Sequence, residues 1–250
     1  MGKSKRSAVR ALDWLVEQGV ELPAIVAPEP EPDLHESQRL DLAAQRHGLP
    51  LLTEAELYDA PPDDVDLVVS FLFWNLIREP LLSLGSIGCL NFHPAPLPDF
   101  RGVGGYNVAI LEGRDEWGVS CHFVDADLDT GDIVEVERFP IDPDSATALS
   151  VDVDSQEHLY ELFQNVMRRA LAGEELPRTP QGEGRYVSRE DFEAMRLVRP
   201  GDDFDRKMRA FWYPPYPGAA VEVDGRRLTV VDDGVLAELA RLYREAGWVP

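Results

Sequence analysis

Apolar residues at Ala8, Leu12, Leu15 and Val16 fall on one face of a helix, which predicts a helix over residues 5–19. The segment "ELPAIVAP" (21–28) reads as a short buried strand, and residues 36–47 as a second helix closed by Gly48 and Pro50. "DLVVSFLFW" (66–74) is a continuous apolar run of strand length, the pattern of a strand covered on both faces. A helical stretch over 78–84, a strand over 88–93 and a short helix over 106–113 follow. "WGVSCHFVD" (117–125) and "DIVEVERFPID" (132–142) alternate as strands do, and 155–173 is an amphipathic helix. Strands alternating with helices predict an α/β domain with a mostly parallel sheet.

The texture changes after residue 173. Residues 174–200 are rich in proline, glycine and charge and read as a linker. A short helix over 203–211 leads to a hairpin, in which Asp224-Gly225 separates two alternating runs. A last helix covers 234–247. The chain is therefore expected to hold a catalytic domain at 1–173, a linker at 174–200 and a small hairpin-and-helix subdomain at 201–250.

Composition narrows the function classes. A net charge of −22 repels phosphate backbones, and only the first ten residues are locally basic, so nucleic acid is an unfavoured partner. Only three of the basic residues are lysine. That bias, with many acids, points to a high-salt cytoplasm, where screening relieves self-repulsion. No apolar run approaches the ~18 residues of a membrane helix, and no signal peptide is evident. Cys89 and Cys121 have no metal-type spacing, so no metal site and a reduced, cytoplasmic setting are expected.

Two stretches carry candidate chemistry. In "NFHPAPLPDFRG" (91–102), a strand would project Asn91 and His93 to one side and Phe92 to the other. Pro94 ends the strand, which places His93 at a carboxyl end, where open α/β sheets bind ligands. Two such donors side by side suit a developing oxyanion, although both could instead satisfy backbone groups at a strand end. The second stretch is "DADLDTGDI" (125–133), after the strand that carries His122. It reads as a solvated acidic turn, or as the source of a carboxylate partner for His93. A calcium loop fails on detail, because Gly131 falls at position 7 and Val136 at position 12.

Together these stretches resemble the formyltransferase family that uses 10-formyltetrahydrofolate. The resemblance rests on N-x-H-P-x-x-L-P-x-x-R-G at 91–102, followed by L-D-T-G-D-I at 128–133. "KMRAFWYPPYPGA" (207–219) adds a likeness to the segment opening the C-terminal region of methionyl-tRNA and sugar-nucleotide formyltransferases. The resemblance implies a Rossmann-like catalytic domain with Asn91, His93 and Asp129 as the catalytic trio. It implies a folate site involving Phe73, Asp125, Asp127 and Gly131, and an acceptor site involving Arg101, Gly102, Trp212 and Tyr213. Arg101 is equally an anchor for substrate or a clamp on its own proline-rich loop. The aromatic residues around 211–216 equally stack on a ligand or pack the appendage.

The sequence departs from the family at its beginning. The family opens with an apolar strand central in its sheet, whereas this chain opens at the following loop and helix. Either the sheet lacks that member or the start is misassigned. The tail also looks short for a tRNA-holding barrel. The implied reaction is formyl transfer from 10-formyltetrahydrofolate to a primary amine, with a nucleotide-linked 4-amino sugar expected. A methionyl-tRNA formyltransferase-like enzyme and a degenerate folate- or nucleotide-binding module are the alternatives, and a homodimer stays open.

Overall fold

The computed structural model describes residues 1–29, 34–73, 75–231 and 233–245. In chain order the elements are α1 (Arg6–Glu17), β1 (Ile25–Val26), α2 (Leu40–Arg46), β2 (Leu51–Leu52), α3 (Glu54–Asp59), β3 (Leu67–Phe71) and β4 (Gly88–His93). Then come β5 (Phe100–Gly102), α4 (Gly105–Leu111), β6 (Glu116–Phe123), β7 (Ile133–Pro140) and α5 (Ala148–Leu171). The last are β8 (Arg185–Val187), α6 (Arg189–Met195), α7 (Phe204–Ala210), β9 (Ala220–Val223), β10 (Arg226–Thr229) and α8 (Asp233–Glu245). The predicted end of the last helix lies outside the described residues, as does Trp74.

The chain divides into two compact units, and not along the expected line. The first comprises Met1–Gly102, Glu116–Pro140 and Asp152–Tyr186; the second comprises Val103–Asp115, Ile141–Val151 and Val187–Pro250. Part of the expected linker thus belongs to the first unit, and two earlier segments join the tail. Long-range packing decides this, and composition does not report it.

The first unit is built on a four-stranded sheet in the order β3-β4-β6-β7. Strands β3 and β4 are parallel, and β6 runs against both β4 and β7, so three of the four strands share one direction. Phe71, Phe92 and Phe163 pack on one face, with ring centroids 5.1–5.7 Å apart, and Trp14 of α1 meets Phe163 edge-on at 5.8 Å. Phe92 therefore points toward α5, and its neighbours Asn91 and His93 project from the opposite face. A separate parallel pair joins β1 to β2.

Several elements differ from their predicted extent. Residues 78–84 form consecutive turns, with Leu81 and Leu82 both donating to the Arg78 carbonyl. The strand predicted at 21–28 shrinks to two residues between Pro23 and Pro28. Helix α5 starts before residue 155, and the Thr147 hydroxyl accepts from Ser150 N at 3.1 Å where it begins. Helix α3 was not predicted; its Thr53–Glu56 capping box holds a helix too short to show a period. In the second unit, Asp224 and Gly225 have φ of 49° and 71°, the left-handed pair that a two-residue hairpin turn requires.

Candidate active site

The site is built where the end of β4 pairs with the carboxyl half of β6. In their antiparallel register Asn91 lies opposite His122, and His93 lies opposite Ser120. All four therefore share the face that Phe92 avoids. Ser120 holds the proline-rich loop: its hydroxyl donates to Ala95 O at 2.7 Å and accepts from Leu97 N at 2.8 Å.

Asn91 is oriented from both sides. Its Oδ1 accepts from the Ser70 hydroxyl at 2.7 Å, and its Nδ2 lies 3.1 Å from His122 Nε2. His122 Nδ1 sits 2.7 Å from the Phe123 carbonyl, which can only accept. The hydrogen is thus assigned to Nδ1, leaving Nε2 as a lone pair that accepts from Asn91. Burial, helped by the nearby His93, pulls the His122 pKa down to about 4, against the opposing pull of Asp129. His122 is therefore neutral at pH 7. An amide nitrogen carries two hydrogens, so one remains for a ligand beside the strand end.

His93 is 8% exposed and bridges two groups. Its Nε2 donates to the Phe100 carbonyl at 3.2 Å, and its Nδ1 faces Asp129 Oδ1 at 3.6 Å. The second distance is beyond a direct hydrogen bond and fits closure in a complex or relay through a water. Asp129 is itself 7% exposed. Its Oδ2 accepts from Gly102 N at 3.0 Å, and its φ of 57° is left-handed, a conformation that Asp tolerates better than most residues. Gln181 Nε2 donates to the carbonyls of Asp129 and Gly131, at 3.1 and 2.6 Å. A Cβ on Gly131 would lie 2.0 Å from Phe123 O, so only glycine fits there.

The other residues predicted for the site separate into three groups. Asp125 and Asp127 are exposed, and Asp125 Oδ1 accepts from Thr130 Oγ1 at 2.7 Å and Asp127 N at 3.2 Å, closing its own turn. Phe73 is half-buried and packs on the cluster containing Val26, Leu57 and Leu81. Arg101 donates through Nη2 to Gln181 Oε1 at 2.9 Å and to Gly182 O at 3.0 Å, outside its own proline-rich loop. Trp212 and Tyr213 lie in the second unit, where Tyr213 stacks on Tyr106 at 6.5 Å and tilts against Tyr216 at 5.5 Å.

Ser70, His122 and Gln181 were missed as members of the network. The signal for His122 was present, since Ser120 and His122 are polar at i and i+2 within an otherwise apolar strand. Among the described residues, Glu137, His158 and Glu161 bring potential metal-ligating atoms within 4.8 Å of one another. His158 Nδ1 already bonds Glu137 Oε1 at 2.5 Å, so the group is satisfied as a histidine–carboxylate pair. No described helix is long and apolar enough to cross a membrane.

The chain resembles several known proteins. A family model described as formyl transferase matches residues 53–166. The methionyl-tRNA formyltransferase of Sphingopyxis alaskensis is 31% identical, covering 90% of this chain and 76% of that one. The GDP-perosamine N-formyltransferase of Brucella melitensis is 29% identical, covering 71% and 69%. The crystal structure of an N-formyltransferase from Helicobacter canadensis, with folinic acid and dTDP-3-aminofucose, superposes with a TM-score of 0.74 at 19% identity, covering 91% and 84%. The chain spans 62% of the length of the methionyl-tRNA formyltransferase of Myxococcus xanthus, to which it is 30% identical.

Proposed function

The chain belongs to the formyltransferase family, and from that premise we propose that it moves a formyl group from 10-formyltetrahydrofolate to a primary amine. One observation carries the reading: an Asn91 amide held by Ser70 and His122, with an N–H to spare, two residues from a buried His93–Asp129 pair.

The amine nitrogen attacks the formyl carbon, and the carbonyl oxygen takes up negative charge. The spare Asn91 N–H donates to that oxygen. His93 Nδ1 and Asp129 take the proton lost by the amine, directly or through one water. The bond from the formyl carbon to N10 of the folate then breaks, and N10 gains a proton. The products are a formamide and tetrahydrofolate, and no covalent enzyme intermediate is needed. His93 thus works through Nδ1, because the Phe100 carbonyl occupies its Nε2. Phe73 and the loop that closes on Asp125 and Gly131 are proposed to line the folate site.

The acceptor is proposed to be a nucleotide-linked amino sugar. Two phosphates need only one or two cations, whereas a tRNA needs many, and the chain carries −22. The rings of Tyr106, Tyr213 and Tyr216 offer stacking surface, and Tyr216 is 60% exposed. The sugar-nucleotide enzymes among the relatives support the same choice. The test is an assay of GDP-perosamine, dTDP-amino sugars and methionyl-tRNA with 10-formyltetrahydrofolate at one salt concentration. Turnover of an amino-sugar nucleotide with little or none of the tRNA is expected. The opposite result overturns the acceptor, and folate binding without any amine formylation overturns the reaction.

A further inference from the structure

Residues 179–184 run as a strap past the loop that carries Asp129. The strap pairs with the start of β7, where Thr179 N donates to Ile133 O at 3.0 Å and Ile133 N donates to Thr179 O at 2.8 Å. Further on, Gly184 passes so close to the proline-rich loop that a Cβ there would lie 2.1 Å from Pro98 O. The strap is thus tied to the Asp129 loop on one side and to residues 98–101 on the other.

Gln181 stands between these two ties, half-buried, and it uses its whole amide. Nε2 donates to the Asp129 and Gly131 carbonyls, at 3.1 and 2.6 Å. Oε1 accepts from Arg101 Nε at 3.2 Å and Nη2 at 2.9 Å. A primary amide has two hydrogens and two main lone-pair directions, and all four are engaged here. Two backbone points aim the Asp129 carboxylate. One is its own residue, gripped by Gln181 Nε2. The other is Gly102, whose N–H donates to Asp129 Oδ2 at 3.0 Å and which follows Arg101, gripped by Gln181 Oε1. Asp129 also has a left-handed φ of 57°, a conformation that persists only where the surroundings hold it. The two carbonyls on either side of Thr130 give Gln181 that hold.

We propose that Gln181 is a positioning residue for the proton-transfer step, coupling the two loops so that the Asp129 carboxylate stays within reach of His93. The consequence for rate rests on the formyl-transfer reading of the site. The length of the side chain matters as much as its amide. Asparagine is shorter by one carbon–carbon bond, about 1.5 Å, and would reach one loop and release the other. The rival role is a partner for Arg101 alone, which would need only the oxygen of Gln181.

The test uses Gln181→Glu and Gln181→Met in the full chain. Ionised glutamate keeps the shape and the acceptor for Arg101 but offers no hydrogen to the two carbonyls. Methionine keeps most of the length and loses both functions. Rates are measured below the melting range of every variant, with 10-formyltetrahydrofolate and the amino-sugar nucleotide turned over in the assay above. Both variants are expected to lower kcat by on the order of tenfold to a hundredfold, with KM for either substrate within about twofold. In an Asp129→Asn chain, adding Gln181→Glu should change kcat by less than about twofold, because the group it aims is gone. A Gln181→Glu chain with wild-type kcat, or effects of the two substitutions that multiply, overturns the proposal. Amide exchange gives a reading independent of turnover. The Gly102 N–H should exchange about tenfold faster or more in Gln181→Glu, while Leu90 in β4 is unchanged. Equal protection of Gly102 in the two chains also overturns the proposal. A wild-type chain that formylates no amine defeats the reaction reading instead, and the exchange at Gly102 still decides whether Gln181 holds Asp129.

Discussion

Two places in the first unit bury polar groups against the same sheet, and they do so differently. Where the end of β4 pairs with β6, Ser70, Asn91, His122 and the Phe123 carbonyl form a hydrogen-bonded chain that leaves one Asn91 N–H over. At the other edge of β3, a single ammonium is buried with one carbonyl partner beside a cavity of mixed lining. Buried polar groups are costly unless paired. The first region meets that cost with a network, and the surplus N–H on Asn91 is what the proposed reaction uses. The second leaves most of the cost unmet.

The largest expected effect sharpens the first half of that contrast. Asn91→Ala and Asp129→Asn should each lower kcat by ~10²–10³ while leaving Tm within a few degrees, because they remove an oxyanion donor or a proton acceptor. Parallel rate and melting measurements check this, and a collapse in Tm would turn the network into a structural device. His122→Leu should cost roughly tenfold in kcat, since Asn91 then loses the acceptor that orients it, and His122→Gln should recover part of the loss.

Acid separates the two regions by pH window. Burial lowers His122 from 6.5 to about 4, so the unfolded chain binds more protons than the folded one between those values. The stability this group contributes is complete above pH 6.5 and is lost as pH falls through 4, an amount of ~3 kcal/mol. Met1 is lowered from 8.0 to about 6 by desolvation, and its neighbour Cys89, pushed up to about 12, stays neutral throughout. Its contribution is complete above pH 8 and is lost as pH falls through 6, an amount of ~2–3 kcal/mol. Urea titrations from pH 4 to 8.5 should show both steps. The His122→Gln variant should lack the lower one. Molar KCl should leave these buried steps in place while raising Tm by a few degrees through screening of the −22 surface. A flat or falling Tm would remove the high-salt reading.

Much of this contrast was legible in the sequence, for identifiable reasons. Residues 88–93 were read as a strand with Asn91 and His93 on one face, because period-2 geometry and Pro94 leave little choice. The alternation at 117–125 located β6 but hid His122, whose role appears only when the register sets it opposite Asn91. Gln181 lies 50 residues from Gly131, and no local pattern joins them. The division into units was illegible because residues 103–115 and 141–151 join the tail through long-range contacts. The opening "MGKSKRSAV" carries no strand pattern, yet residues 1–3 bridge Val26 and Phe71 through backbone hydrogen bonds.

The smallest effect tests a side chain that belongs to neither extreme. Arg101 is half-buried, and it was equally an anchor for substrate or a clamp. Its guanidinium reaches Gln181 Oε1 and the Gly182 carbonyl, and Gln181 in turn holds the carbonyls of Asp129 and Gly131. The clamp therefore acts on the loop that carries Asp129. Arg101→Met keeps most of the apolar stem and removes the donors, so it should cost about 1–2 kcal/mol, typical for hydrogen bonds from a charged donor. On a 250-residue chain that is a fall in Tm of a few degrees. In the clamp reading kcat declines severalfold as Asp129 loosens, and KM for the amine stays within twofold. An anchor would show the reverse, a KM raised tenfold or more with kcat and Tm nearly unchanged. The split between KM and kcat thus decides whether the proline-rich loop contacts the acceptor or only supports the residues that do.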